Sequence, residues 1–314
     1  MTALVLMVLV AAPDAGAVDA GVPVQILPEL RRLAKQLEPS IASPWVKQWL
    51  RNTDGLKSVT PKTWYCSKEH RQCYVAPTAF PGAEPKVADD EFVYSRISDP
   101  LGYARAFEIA AAAGFQPSGK RVLDFGYGNL GQLLMLASLG ADVHGVEVDP
   151  LLVAGTMSLV GKRGKGSVTL HDGYFASDQR VVKEIGGGYD LWISKNTLKR
   201  GYVHPAEPPG AKAMLDLGLD DAKLLALIHS QLNKGGLFFI YNIGGAPQQP
   251  YKPMTDIRSP YSKEALIAAG FEVLAFEQDD TDKCKAMAKS LEWIKDWPAI
   301  ETELHASYTL VRRP

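Results

Sequence analysis

The sequence predicts an α/β protein with a mostly parallel sheet that helices cover on both faces. From Lys120 onward, short apolar strands alternate with helical segments, which is the pattern of a parallel sheet. A glycine-rich turn follows the first of these strands and opens a helix. The composition agrees with this fold, because 46% of the 314 residues are hydrophobic and 22% are charged, values that allow a large core.

The overall charge and the hydropathy pattern exclude two classes of protein. Lys and Arg together number 34 and Asp and Glu 35, so the net charge is -1. A nucleic-acid-binding protein usually carries a basic excess, and nucleic acid is therefore not expected as a partner. No apolar run approaches the roughly 20 residues of a membrane-spanning helix, so no stable membrane span is expected in the mature chain.

The first 24 residues predict a signal peptide followed by a low-complexity segment. Residues 3–12 read ALVLMVLVAA, and Ala15-Gly16-Ala17 fits a small-residue cleavage site. No Lys or Arg precedes the apolar block, so the basic start of a typical signal is missing. The prediction is export to the periplasm or the exterior, and the alternative is a cytoplasmic location.

Residues 25–115 predict a mainly helical cap on the sheet. Apolar residues recur three or four positions apart over residues 25–60, and a second helical run ends at Gly114. Between them Cys66 and Cys73 stand in a candidate hairpin, as a disulfide in an exported protein or as free thiols in the cytosol. A metal site with His70 lacks a fourth ligand, so no metal is predicted. The stretch APTAFPGAEPKVADDE after the hairpin predicts a linker.

The first strand, turn and helix of the alternating region carry the chemical signal. The residues VLDFGYGNLG place Gly126 and Gly128 in the turn, where glycine lets the backbone approach a ligand. Glu147 ends the next strand, 23 residues after Asp124. An acid at that point accepts hydrogen bonds from the hydroxyls of a ribose. Together the glycine turn and the acid predict a ligand that contains adenosine.

Asp124 helps to choose among such ligands, because it lies two residues before Gly126. A carboxylate there repels a pyrophosphate and suits an ammonium group. S-adenosylmethionine offers an ammonium and a sulfonium where a dinucleotide has its pyrophosphate. The position of Asp124 therefore favours S-adenosylmethionine over a nicotinamide dinucleotide.

The segment from Lys120 to Pro314 resembles the class I S-adenosylmethionine-dependent methyltransferases. The similar motifs, in chain order, are VLDFGYGNLG, GVEVDP, HDG, YDLWISKNTL, LNKGGLFFIYN, FEVLAFE and SYTLVRRP. The resemblance implies a Rossmann-like, doubly wound sheet of seven strands with an antiparallel last strand, over residues 116–314. Two departures stand out: Lys199-Arg200 replace an acid and a histidine that the family often has, and a long insertion separates the last two strands.

The resemblance also implies roles for individual residues. Gly126 and Gly128 would approach the methionine part of the cofactor, Asp124 would hold its ammonium, and Glu147 would hold the ribose. The remaining cofactor residues would be Val148 beside the adenine, Asp172 and Gly173 at its amine, Ser194 and Asn196 near the reacting methyl group, and, from the helical region, Tyr94, Arg96, Tyr103 and Arg105 as candidates for the methionine carboxylate.

The methyl acceptor is not identified by the sequence. A hydroxyl or amine acceptor must lose a proton, and the candidate bases are His204, Tyr202 and Tyr241. Five cations in the following loops form either a mouth for an anionic small molecule or a solvated rim: Lys195, Lys199, Arg200, Lys252 and Arg258. A small-molecule acceptor is expected, with a protein side chain as the alternative.

Two other functions remain open at this stage. One is a protein that binds S-adenosylmethionine and has lost catalysis. Export favours it, because the cofactor is made in the cytosol and an exported enzyme would need a supply. The other is a nicotinamide-dependent oxidoreductase, which Asp124 and the LNKGG turn disfavour.

Overall fold

The computed structural model describes residues 25–67, 72–80, 82–95, 99–206, 215–295 and 298–314. The predicted signal peptide over residues 1–24 lies outside these ranges, as do His70 and Arg96. Among the described residues, no helix combines the length and the apolar character that crossing a bilayer requires.

Two amphipathic helices open the described chain, α1 (Ile26–Leu37) and α2 (Pro44–Arg51). Helix α2 begins where the Ser43 hydroxyl accepts a hydrogen bond from the Val46 amide, with a proline at the first helical position. The buried residues of α1 recur three or four positions apart: Leu27, Leu30, Leu33, Ala34 and Leu37. Both helices belong to a hydrophobic cluster that also includes one face of the main sheet.

A small antiparallel sheet follows, made of β1 (Lys62–Ser67), β2 (Gln72–Tyr74) and β3 (Pro85–Ala88) in the order β2-β1-β3. Cys66 lies opposite Cys73 in the β1–β2 pair and the two form a disulfide. The hairpin is as predicted, and neither sulfur remains as a thiolate for a metal. The prediction of a linker after the hairpin is wrong for β3, because these residues pair with β1, and Pro85 is tolerated at the start of an edge strand.

Helix α3 (Asp90–Tyr94) and helix α4 (Ala104–Ala112) complete the helical region. A short 3-10 helix, Pro100–Tyr103, leads into α4. After α4, Gly114 adopts a φ of 93° and the chain turns away.

The main sheet has eight strands. They are β4 (Arg121–Phe125), β5 (Asp142–Glu147), β6 (Gly161–Arg163), β7 (Gly166–Asp172), β8 (Tyr189–Lys195), β9 (Leu232–Gly244), β10 (Glu272–Asp279) and β11 (His305–Arg312). Their order across the sheet is β10-β11-β9-β8-β4-β5-β7-β6.

The predicted fold class is confirmed, with one correction to the strand count. Strands β4, β5, β7, β8 and β9 run parallel, and β11 is antiparallel to both of its neighbours. The last strand is therefore antiparallel, as expected. Seven strands were expected, and the eighth is β6, a three-residue strand that pairs antiparallel with β7 at the sheet edge.

Helices cover both faces of this sheet. They are α5 (Gly131–Ala137), α6 (Pro150–Thr156), α7 (Gln179–Ile185), α8 (Arg200–Val203), α9 (Asp221–Gln231), α10 (Lys263–Ala268), α11 (Thr281–Ser290) and α12 (Ile300–Glu303). One hydrophobic cluster packs helices α1 through α6 and helix α11 against one face of the sheet. A second cluster packs α7, α9 and α10 against the other face.

On the second face, two buried histidines contact each other. His144 of β5 and His171 of β7 stack with ring centroids 5.2 Å apart, and His144 Nδ1 lies 2.9 Å from His171 Nε2. Burial lowers the pKa of both rings, that of His171 to about 4. Both imidazoles are therefore neutral at pH 7.

The strand order reverses at β4, whose neighbours are β5 on one side and β8 on the other. Chain connections leave in opposite directions at such a point and open a crevice outside the carboxyl ends of the strands, which is where open α/β sheets bind ligands. A ligand-binding site is therefore expected at the residues that end β4, β5, β7 and β8.

Candidate functional site

Two glycines shape the turn after β4. Gly126 and Gly128 have φ values of 71° and 69°, in the left-handed region that other residues rarely adopt. A Cβ atom on Gly126 would overlap the side chain of Thr197, which comes from the loop after β8. The turn therefore needs glycine both for its backbone and for the close approach of that loop.

Asp124 is a buried acid beside this turn, with an exposed fraction of 2%. Its Oδ1 accepts a hydrogen bond from the Tyr103 hydroxyl at 3.1 Å, and its Oδ2 accepts one from Gln132 Nε2 at 3.5 Å. Burial raises the pKa of Asp124 to about 7, although these hydrogen bonds and the charge of Lys195 oppose the shift. A cation brought to this carboxylate would stabilise its charged form.

Glu147 is joined directly to the glycine turn. Its Oε2 accepts a hydrogen bond from the Gly128 amide at 3.3 Å, and its Oε1 accepts one from the Val148 amide at 2.7 Å. Burial raises the pKa of Glu147 despite these two donors. Each carboxylate oxygen keeps a further lone pair, so the group can also accept hydrogen bonds from two hydroxyls.

The end of β7 lies beside Glu147. Asp172 is the register partner of Glu147, and the Gly173 amide donates to the Glu147 carbonyl at 3.0 Å. Val148 and Asp172 are both half-buried. The structure thus brings together Asp124, the glycine turn, Glu147 and Asp172 along one edge of the sheet.

Ser194 and Asn196 hold the end of β8 to its surroundings. The buried Ser194 hydroxyl accepts a hydrogen bond from the Leu198 amide at 3.1 Å. Asn196 has a φ of 63°, and its Oδ1 accepts a hydrogen bond from the Ile243 amide at 2.6 Å. Both side chains have partners within the protein, and their roles toward a cofactor stay predictions.

Lys195 lies between them in the chain and projects to the face that the helical region covers. It is 4% exposed, and its Nζ lies 4.8 Å from the centre of the Tyr103 ring. Burial lowers its pKa, while the charges of Asp124 and Asp99 act to raise it. Among the described residues Lys195 forms no ion pair or hydrogen bond.

The three predicted bases are engaged with other groups. Tyr241 is fully buried and its hydroxyl donates to Asp280 Oδ2 at 3.0 Å. His204 is exposed, and its Nε2 lies 2.9 Å from both carboxylate oxygens of Asp221. Burial raises the pKa of Tyr202 to about 12. Their assignment as bases stays a prediction.

The five predicted cations of the mouth differ in their surroundings. Lys199 is fully buried, donates to the Ile243 carbonyl at 2.5 Å, and has its pKa lowered by burial to about 7. Arg258 forms two hydrogen bonds of 2.7 Å with Asp256. Arg200 has a buried Nε without a partner. Lys252 is exposed, so the set mixes buried and exposed cations and is not a uniform solvated rim.

Sequence reasoning missed several residues that build the site. Gln132 supports Asp124, and its Oε1 is buried without a partner. Trp293, from the insertion between β10 and β11, donates to Asp99 at 3.0 Å and packs against Gly102. An aromatic residue in an otherwise charged insertion was the available signal for Trp293, and Gln132 carried none.

No protein-family model matches the sequence, and no curated protein matches it. Solved structures do show similarity in fold. The (4+2)-cyclase SpnF is 17% identical, with 67% of this chain and 80% of that chain covered and a TM-score of 0.42. An S-adenosylmethionine-dependent methyltransferase from Mesorhizobium loti is 19% identical over 66% and 98%, with a TM-score of 0.38.

A third structure covers more of this chain. Phosphoethanolamine N-methyltransferase 2 from Haemonchus contortus, in complex with S-adenosyl-L-methionine, is 13% identical over 87% of this chain and 75% of that one, with a TM-score of 0.43. Identities and scores this low assign no activity to the chain.

Proposed function

We propose that the protein is an S-adenosylmethionine-dependent methyltransferase. The observation that carries the proposal is the pair of buried carboxylates at the switch point: Asp124 before a left-handed glycine turn, and Glu147 on the amide of that same turn. The donors to both carboxylates are neutral groups, so each can still take a ligand.

The residues fit the charged and polar groups of that cofactor. Asp124 is buried, and an ammonium placed beside it would stabilise its charged form against the cost of burial. Gln132 Oε1 and the Tyr127 hydroxyl are buried and have no hydrogen-bond partner among the described residues. A pyrophosphate would instead bring two negative charges to Asp124.

When bound, the cofactor supplies a methyl group on a sulfonium, which needs no further activation. The chain's part is to align the acceptor with that group and to exclude water. Asp124 would hold the ammonium, Glu147 the ribose hydroxyls and Asp172 the adenine amine, while Gly126 and Gly128 allow close approach of the backbone.

For the acceptor we propose an anionic small molecule, with a protein side chain as the alternative. Arg200, at the start of α8, has a buried Nε without a partner among the described residues. A hydroxyl or amine acceptor also needs a base. Tyr241, Tyr202 and His204 remain the candidates, each after release from its present contact.

The test is calorimetric titration of the purified protein with S-adenosylmethionine, S-adenosylhomocysteine and NAD. We expect both adenosyl ligands to bind and NAD not to bind. Glu147→Gln keeps the shape and removes the charge, and it should weaken both ligands by roughly tenfold or more, as expected for a hydrogen bond to a charged group. Binding of NAD alone would instead support an oxidoreductase.

A catalytically inactive binding protein is the second candidate. It is favoured by the contacts of Tyr241 with Asp280 and of His204 with Asp221, which occupy two of the three candidate bases. Ligand binding without methyl transfer, across a panel of carboxylate, phosphate, hydroxyl and amine acceptors, would favour it over the enzyme.

We also propose that the protein is exported, with a cytoplasmic location as the alternative. The disulfide between Cys66 and Cys73 supports export, because disulfides persist in oxidising compartments. Mass spectrometry of the mature protein from its own cells tests this. A cleaved N-terminus near Ala17 with an intact disulfide is expected, and an uncleaved start with two thiols would contradict it.

A further inference from the structure

Lys195 is unusual because its charge is buried and forms no ion pair or hydrogen bond with the part of the chain that the structure describes. Its side chain is almost completely enclosed, and the aromatic ring of Tyr103 is the group over which Nζ lies. A buried ammonium is costly unless hydrogen-bond acceptors surround it. Its three N–H groups are therefore available to an anionic ligand.

The nearby carboxylates are already used by other donors. Asp99 Oδ1 accepts from the Leu101 amide at 2.8 Å, and its Oδ2 accepts from Trp293 Nε1 at 3.0 Å. Asp124 receives the hydroxyl of Tyr103. Both acids still act on the charge of Lys195 from a distance, but neither forms an ion pair with it among the described contacts.

Asp124 and Lys195 lie on the same face of adjacent strands. Asp124 of β4 is the register partner of Ile193 in β8, and Lys195 follows two residues later. Side chains two apart in a strand point to the same face. Ile193 and Val122 share one hydrophobic cluster, which places the acid and the base together beneath the helical region.

The residues that the family resemblance suggested for the methionine carboxylate are mostly engaged elsewhere. The Tyr94 hydroxyl donates to the Lys57 carbonyl at 2.8 Å, and the Tyr103 hydroxyl donates to Asp124. Arg105 forms a half-buried ion pair with Asp280 at 2.8 Å. Arg96 lies outside the described residues.

We infer that Lys195 and Asp124 together bind the α-amino-acid group of S-adenosylmethionine, with Lys195 holding the carboxylate and Asp124 the ammonium. This inference rests on the proposed function and assigns its carboxylate contact to the sheet rather than to the helical region. A zwitterion carries its two charges one carbon atom apart, and an acid and a base on the same face of adjacent strands complement both charges. On binding, the ammonium takes the place of the Tyr103 hydroxyl.

The experiment compares two ligands that differ in the amino-acid group. S-adenosylhomocysteine has it and 5′-methylthioadenosine lacks it. Calorimetry with the wild type and with Lys195→Met should show that the variant loses roughly tenfold to a hundredfold in affinity for the first ligand, the range of a charged hydrogen bond. The affinity for the second ligand should stay within about twofold of wild type, since Lys195 does not reach it.

Three further variants serve as controls. Lys199→Met removes another buried lysine and should change neither affinity, which separates the loss of a contact from a general effect on the core. Lys195→Arg keeps the charge and should restore part of the preference for S-adenosylhomocysteine. If Arg96→Met rather than Lys195→Met removes that preference, the carboxylate belongs to the helical region and the inference is wrong.

A last titration distinguishes an amino-acid group that belongs to the cofactor from one that belongs to an acceptor. Free L-methionine, added to protein saturated with S-adenosylhomocysteine, should not bind, because the site is then filled. Binding there, lost in Lys195→Met, would mean that the pair serves an amino-acid acceptor and would overturn the assignment to the cofactor. If the wild type binds no adenosyl ligand, the proposed function itself is wrong. If the wild type and Lys195→Met bind both ligands alike, only the role of Lys195 is wrong.

Discussion

The two halves of the sheet's carboxyl edge use their polar side chains differently. In the half that we propose for the cofactor (the cofactor half), at the ends of β4, β5 and β7, Asp124 and Glu147 are hydrogen-bonded to a tyrosine, an amide side chain and backbone amides. In the half that we propose for the acceptor (the acceptor half), at the ends of β8 and β9 and in the segment after β10, most predicted groups have charged or carbonyl partners: Tyr241, Lys199, His204 and Arg258. Asp280, just after β10, also forms an ion pair with Arg105 of α4.

The type of hydrogen-bond partner distinguishes residues that can still bind a ligand from residues that stabilise the fold. A carboxylate with neutral donors keeps its charge available, whereas an arginine paired with a buried aspartate is already neutralised. Counting polar residue types in the sequence therefore overestimates how many residues of the acceptor half are available for binding or catalysis. Arg200 is the exception on that side, because its buried Nε has no partner among the described residues.

The largest effect is expected from breaking the buried ion pair of the acceptor half. Arg105→Met leaves Asp280, which is 6% exposed, without its cation. The free energy of unfolding, measured in urea, should fall by about 4 kcal/mol, as for other buried pairs that lose one partner. The matched control is Arg32→Met, whose pairs with Glu29 and Glu292 are exposed and should contribute little to the free energy of unfolding. Equal losses in both variants would contradict a structural role for the acceptor half.

The second effect tests the contact between the halves. Gly126→Ala adds a Cβ in a left-handed conformation and against Thr197, and should cost about 3 kcal/mol of stability in thermal unfolding. Gly164→Ala is the control: its φ is 60° but no atom lies within 4 Å of the added Cβ, so only the backbone strain of about 1 kcal/mol remains. Adding Thr197→Ala to Gly126→Ala should recover part of the loss, and no recovery would mean that the halves do not touch there.

The third effect belongs to the far face, away from both halves. Burial lowers the pKa of His144 and His171 below the unfolded value of 6.5, so the folded protein resists their protonation. The stability from the neutral pair is complete above about pH 6.5 and is lost as the pH falls toward 4, by about 2 kcal/mol. Urea unfolding at several pH values should show this slope, and His171→Leu should flatten it. A wild type whose stability is unchanged from pH 7 to 4.5 would contradict the buried, neutral pair.

The smallest effect concerns ligand affinity in the cofactor half. Because Asp124 has a pKa of about 7, its carboxylate is protonated below that pH and no longer attracts an ammonium. The affinity for S-adenosylhomocysteine should fall by up to roughly tenfold for each pH unit below 7. Asp124→Asn should bind weakly with no such slope. The same slope in Asp124→Asn would assign the titration to another group.

The cofactor half was largely readable from sequence because its residues are local to strands and turns. Asp124, Gly126 and Gly128 lie within five positions of one another, and a strand that runs into a glycine turn fixes their geometry. Glu147 ends the next strand, so the parallel register brings it to the same edge. The mostly parallel sheet with helices on both faces also followed from the alternation of strands with helices.

The acceptor half could not be read in this way because its contacts join distant segments. Nothing in the sequence around Tyr241 shows that its hydroxyl meets Asp280, and nothing around Lys199 shows that its ammonium is enclosed. Strand β3 was missed for a similar reason, since its pairing with β1 outweighs a composition rich in proline and alanine. The edge strand β6 is three residues long and leaves almost no pattern.

The contacts of Trp293 with Asp99 and of Arg105 with Asp280 also bear on the order in which the protein is made. They span 194 and 175 residues, whereas β4, β5 and β7 are complete by residue 172. Closing such long loops costs entropy and has to wait until both partners have been synthesised. On the ribosome, the half of the edge that carries Asp124 and Glu147 can form first. The half that we propose for the acceptor closes only after the insertion between the last two strands has emerged. We therefore expect a chain released early to have the means to hold a nucleoside before it has any means to choose what that nucleoside reacts with.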